Sequence, residues 1–201
     1  MIVLPATFQD SQLSPLKIIG IGGTGGIWLN SAIAKGIIPT ENSIFIDTDA
    51  TALADSCASI RIHAGKNLSL KEGTLGNVDK GLQAWNEIWI PVLASLGDSR
   101  EIIVIAGLGG GTGSAIVPIV LRLLRDFNIY SICIVSKPFR FEGENRHKCA
   151  DWALRLLGLH GDRLMVIHYQ ELLSPIARSL RFSEALSILD EIALSQIDGC
   201  C

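Results

Sequence analysis

Short apolar runs rich in isoleucine and valine recur at residues 16–21, 43–47, 102–106, 129–135 and 163–168, with a briefer one at 60–62. Runs of this length that do not alternate with polar residues are the pattern of strands buried on both faces. Between them, apolar residues fall three and four apart at 27–34, 78–96, 115–121, 147–159 and 182–197, which predicts helices. In the second of these, Leu82, Trp85, Ile88, Trp89, Val92 and Leu96 form one stripe despite Pro91, and both tryptophans are assigned to the core. Strand and helix alternate, so the chain is read as α/β: a Rossmann-like doubly wound parallel sheet of about six strands with helices on both faces. Residues 1–15 hold two prolines and no period and read as a loose arm; residues 16–201 read as one domain.

Two strand-to-helix junctions are built from glycine. The first is Gly20-Ile21-Gly22-Gly23-Thr24-Gly25-Gly26, and the second is Gly107-Leu108-Gly109-Gly110-Gly111-Thr112-Gly113-Ser114. Residues without side-chain bulk let the backbone approach a ligand closely, and the helix that follows presents unpaired N–H groups. That combination binds phosphate. Gly20, Gly22 and Gly25 also satisfy G-x-G-x-x-G with Asp47 and Asp49 about twenty residues on, the pattern of a dinucleotide or adenosyl-methionine site. A second glycine loop favours two walls around one phosphate chain instead. No G-x-x-x-x-G-K-[ST] is present, which excludes an ordinary P-loop protein by motif. Ser114 is read as the N-cap of the second helix, with Pro118 in its first turn. The polar segment 136–146 follows a strand, so Glu142 and Arg146 are placed to meet a ribose hydroxyl and a phosphate or base. The glycine-punctuated segment 66–79 is a candidate lid.

Charge and cysteine narrow the ligand class. Seventeen basic and 20 acidic residues give a net charge of -3 without any run of one sign, so nucleic acid and anionic membrane have no footprint. A small neutral or anionic ligand fits better. Five cysteines without a C-x-x-C argue against a disulfide framework or a zinc site, no catalytic or metal-ligating residue is assigned, and a reducing cytoplasm is expected. The first residues lack a basic segment, so no signal peptide is expected. Residues 102–121 carry no charge over a membrane-spanning length, but their middle is glycine and threonine rather than hydrocarbon. The terminal Cys200-Cys201 pair is read as a frayed tail rather than a lipid anchor.

With these motifs in order, the chain resembles the tubulin/FtsZ family of GTP-dependent filament proteins. The resemblance rests on Gly20 to Gly26, on Asp47-Thr48-Asp49-Ala50-Thr51-Ala52-Leu53, on Gly109 to Ser114, and on Lys137-Pro138-Phe139 with Phe141-Glu142-Gly143. It implies phosphate contacts from Gly22, Gly23, Thr24, Gly25, Gly26, Gly110, Gly111, Thr112 and Gly113. It also implies a part for Asp49, the ribose for Glu142 and the nucleotide for Arg146. The implied ligands are GTP or GDP with Mg2+, and the implied partners are further copies of the chain or a full-length homologue. The sequence departs from the family at Ile27, at His168-Tyr169-Gln170, and at Leu186 and Ser187, where the family places a guanine-reading asparagine-aspartate pair. Tyr169 is open to two readings, a base-stacking ring or a rim tyrosine. The chain is expected to lack the family's second domain, whose acidic loop completes the GTPase site of the next subunit. Two functions stay open: a GTP-binding GTPase linked to filament assembly, or a non-hydrolysing module that caps or regulates a complete homologue. One face of the last helix is expected to be exposed and to await a partner.

Overall fold

The computed structural model describes residues 16–68, 74, 76–171 and 182–201. The arm expected at 1–15 and much of the candidate lid (69–73 and 75) lie outside the described residues. The strands are β1 (Lys17–Ile21), β2 (Ser43–Asp47), β3 (Ile60–His63), β4 (Glu101–Gly107), β5 (Tyr130–Lys137) and β6 (Arg163–His168). The helices are α1 (Gly22–Ala34), α2 (Ala50–Ala54), α3 (Val78–Leu96), α4 (Gly111–Asp126), α5 (Glu144–His160) and α6 (Phe182–Asp198). All six strands run parallel in the order β3-β2-β1-β4-β5-β6. The doubly wound sheet expected from the alternation is the fold observed.

The central strands need no polar face because both faces are covered. Ile19, Ile44, Val104 and Val135 face a layer formed by α3, α4 and α5, which contribute Ile88, Val92, Ile116, Val120, Leu124 and Leu157. Ile18, Phe45, Ile103 and Ile134 face α1 and α6, which contribute Trp28, Leu29, Ala32, Leu189, Ala193 and Ile197. Most of these side chains are fully buried, and each is worth roughly 1.5–3 kcal/mol by area removed from water. At the opposite rim from the glycine loops, the Lys17 ammonium donates to the carbonyls of Ser95 (2.6 Å) and Leu96 (3.1 Å) and so caps the carboxyl end of α3.

Three expectations change. Trp85 packs against the core, but Trp89 is 45% exposed, because the stripe on α3 is narrower than the one drawn from spacing. The last helix turns its apolar stripe inward: Leu189, Ala193 and Ile197 are fully buried, and Leu186 and Ile192 are half-buried against the same cluster. No large exposed apolar side chain lies on α6 among the described residues. The second glycine helix starts at Gly111 with Gly110 as its N-cap, so Ser114 and Pro118 lie inside it. Ser114 instead reaches back, its hydroxyl accepting the Gly109 N–H at 2.9 Å.

Close packing explains part of the glycine content. A Cβ on Gly26 would lie 2.4 Å from Cζ of Phe45, a ring that is itself buried. Gly26→Ala is therefore expected to lower the unfolding free energy by about 1–3 kcal/mol through overpacking, measured as a reduced urea midpoint.

Candidate functional site

β1 and β4 pair in register, Ile21 opposite Ala106, so their carboxyl ends stop side by side. The winding reverses between them, and the segments leaving the two strands diverge and open a crevice. A cavity of about 630 Å³ occupies this place. It is large enough for a nucleotide.

One wall is Gly22, Gly23 and Thr24, and the facing wall is Gly110, Gly111, Thr112 and Gly113. Both glycine segments are the first turns of helices rather than loops that precede them. Neither helix has a side-chain cap or an acidic residue in its first turn. The leading N–H groups of α1 and α4 therefore retain their donor capacity, and the two positive dipole ends converge on one space. The glycines divide by task. A Cβ at Gly23 or Gly110 would meet nothing within 4 Å, so these two positions are open. Gly25 and Gly113 have no such room, since a Cβ there would lie 2.6 Å from the Ile105 carbonyl oxygen and 2.3 Å from that of Gly107. Gly25 and Gly26 do not line the cavity; they let α1 lie flat on the sheet.

Hydroxyls fix the second wall. Thr112 is buried, and its Oγ1 lies 2.7 Å from Oγ1 of Thr48 and 3.3 Å from Oγ1 of Thr74. This chain of three threonines ties the first turn of α4 to the end of β2 and to the segment before α3. Thr24 packs against Gly107, where a Cβ would stand 2.4 Å from its Oγ1, so the two walls also touch each other.

The third side comes from the end of β5 and the turn after it, with Ser136, Lys137, Pro138, Phe139, Phe141, Glu142 and Arg146. Glu142 and Arg146 both line the cavity and are paired, Nη1 donating to Oε2 at 2.6 Å, while Oε1 of Glu142 accepts the Phe139 N–H at 2.7 Å. The cavity is closed by Ile27, Tyr169, Leu186 and Asp190. Asp49 is not part of its lining; its Oδ1 caps α2 by accepting the N–H groups of Thr51 (2.8 Å) and Ala52 (3.3 Å). Sequence reasoning missed Thr48, Thr74, Ser136 and Asp190. Thr48 and Thr74 sit in segments without periodicity, Ser136 is a polar residue at the end of β5, and Asp190 lies far along the chain on a helix read only for its apolar stripe.

Two helix N-termini with open glycine backbone, a polar third side and an aromatic end surround one cavity at the switch point of this α/β domain. The chain belongs to the tubulin/FtsZ family: the model of its GTPase domain matches residues 15–177. The chain is 32% identical over 197 residues to the cell division protein FtsZ of Magnetospirillum gryphiswaldense, covering 98% of this chain and 34% of that protein. It is similar in structure to an empty FtsZ dimer from M. jannaschii, with a TM-score of 0.86 and 28% identity over 95% of this chain and 55% of the other. The fold is shared with CetZ2 from Haloferax volcanii, solved as a GTPγS-bound protofilament, at a TM-score of 0.78 and 19% identity over 91% of this chain and 57% of that one. The chain spans about a third of the length of the curated relatives it matches.

Behind the threonine chain, Asp47 is nearly inaccessible, its Oδ1 accepting the N–H groups of Thr48 (2.7 Å) and Asp49 (3.3 Å). Burial pushes its carboxyl from an ordinary value near 3.8 up to about 6, more than those two hydrogen bonds pull it down. The folded state thus holds a proton that the unfolded chain has released, so this group favours folding below its unfolded pKa, and that contribution is lost as pH rises through about 6. Asp47→Asn keeps an acceptor for both N–H groups and removes the charge. It is expected to stabilise the protein at pH 7.5 by about 1–3 kcal/mol and to flatten stability between pH 4 and 6, read by urea denaturation at each pH.

Proposed function

We propose that the cavity binds GTP or GDP, with the triphosphate against the first turns of α1 and α4. The observation that carries this reading is the pair of convergent helix N-termini with open space above Gly23 and Gly110. Backbone N–H groups and two dipole ends supply the neutralisation that a lysine supplies elsewhere. Gly22 to Thr24 and Gly110 to Gly113 would hold phosphate, Glu142 the ribose hydroxyls and Arg146 the nucleotide, once their mutual ion pair opens. Gly25, Gly26 and Asp49 would support these walls without touching the ligand. Among the described residues no cluster of three or more histidines, cysteines or carboxylates forms a metal site, so magnesium would arrive with the phosphates.

Binding and turnover separate in this chain. The carboxylates lining the cavity are Glu142 and Asp190, and both are engaged, Glu142 with Arg146 and the Phe139 N–H, Asp190 with Trp28. Neither is available to activate water, so GTP hydrolysis would draw its general base from an adjacent molecule. That agrees with self-association of the chain, a solved relative being an FtsZ dimer, and a cytoplasmic location belongs to the same reading. No described helix is long and apolar enough to cross a membrane.

Gly110 has an ordinary φ of −83° and room for a side chain, so its substitution separates ligand from fold. Gly110→Val is expected to lower the thermal midpoint by no more than about 2–4 °C, the cost of a poorer N-cap, and to weaken GTP binding at least about tenfold in calorimetry. Unchanged affinity would place the phosphates elsewhere. A bulky residue at buried Thr112 would be less informative, because it would also break the threonine chain. Phosphate release by the chain alone, compared with release after adding a full-length FtsZ, is expected to rise only in the mixture.

A further inference from the structure

A second, smaller cavity of about 200 Å³ adjoins the crevice, and Lys137, Pro138 and Tyr169 line both. Arg140, His147, His168, Gln170 and Glu171 line the small cavity and not the crevice. Its basic groups arrive from three elements for a topological reason. β5 and β6 pair in parallel with Lys137 opposite His168, so both strands end at one rim, where the turn carrying Arg140 leads into α5 and its His147. Four cationic or ionisable bases thus meet in one small space of an acidic chain.

The donors are oriented but not used up. The Lys137 ammonium donates to Asp151 Oδ1 at 2.8 Å, which fixes its position and leaves two N–H groups. Nε2 of His147 lies 3.0 Å from the Phe139 carbonyl oxygen, so backbone sets the ring and Nδ1 is left over. The Arg140 N–H donates to Gln170 Oε1 at 3.3 Å and ties the turn to the end of β6, while the guanidinium has no partner among the described residues. Glu171 is the one carboxylate among the described lining residues. It stands 3.6 Å from Nδ1 of His168 and is 77% exposed, so little holds it against a competing anion.

We propose that this cavity binds a small phosphate-bearing anion, either free phosphate or a short phosphate ester, through Arg140, Lys137 and His168. Donors from several directions suit a tetrahedral anion, whereas a planar carboxylate is satisfied by the Arg140 fork alone. The volume is too small for a nucleotide and leaves room beside one phosphate for a few carbon atoms. The site is separate from the glycine walls and does not depend on what they bind.

Ring-proton NMR of the histidines during titration of the full chain, at fixed pH and ionic strength, tests it. Inorganic phosphate, glycerol phosphate and succinate are the probes. The two phosphates are expected to shift His147 and His168 saturably, and to leave His160, at the far end of α5, unmoved. Tighter binding of glycerol phosphate would assign an ester, and the reverse order free phosphate. The shifts are expected to persist in Gly110→Val, which obstructs the glycine walls alone. Arg140→Ser is expected to weaken both phosphates at least about tenfold while GTP affinity stays within about twofold. Glu171→Gln, which removes the competing carboxylate, is expected to tighten them. Absence of saturable shifts at His147 and His168, their loss in Gly110→Val, or succinate binding as tightly as the phosphates would overturn the proposal. GTP binding without those shifts would overturn it alone and leave the nucleotide reading standing.

Discussion

The parallel pairing of β1 with β4 governs the rest of the molecule. Because Ile21 and Ala106 stand opposite each other, the two strands end at the same height, and the helices that follow begin at the same height. Each helix then turns to a different face of the sheet, α1 with α6 and α4 with α3 and α5. The two N-termini therefore meet across the crevice. A register shift of one residue would misalign the walls, and it is opposed by strands whose residues Ile18 to Ile21 and Ile102 to Ala106 are all buried on one face or the other.

The fold was legible because its physical causes are local. Doubly buried strands must be apolar throughout, and runs such as 102–106 could be little else once flanked by glycine. The glycine segments raised the expectation of a phosphate-like ligand, but their helical state was not legible, since glycine is a poor helix former in isolation. Packing on the sheet decides it: Gly25 and Gly113 touch backbone carbonyls where any larger residue would lift the helix away. Trp89 went astray because spacing alone fixes a stripe's direction and not its width.

The site was half legible. Gly22 to Thr24, Gly110 to Gly113, Glu142 and Arg146 come together around one cavity from three separate segments. Asp49 stands aside as a helix cap, a role its position before Ala50 fits equally well. What no local pattern revealed is the set of long-range polar contacts: Thr48 and Thr74 with Thr112, and Trp28 with Asp190 across 162 residues of sequence. Such pairs exist only once the sheet has wound, because each joins elements from different halves of the chain.

The Lys17 contact with the end of α3 gains meaning at the scale of the whole molecule. It sits at the amino-terminal rim of the sheet, where helices present carbonyl ends, while the carboxyl-terminal rim presents N–H ends. The domain is therefore an electrical vector: one rim accepts cations and the other accepts anions, even though the chain as a whole carries a charge of -3. A polyanion approaching from bulk solvent is weakly repelled until it reaches the crevice, where fixed dipoles in a confined space outweigh the distant, salt-screened charges. Selection by location in this way would let an acidic protein capture the proposed anionic ligand end-on.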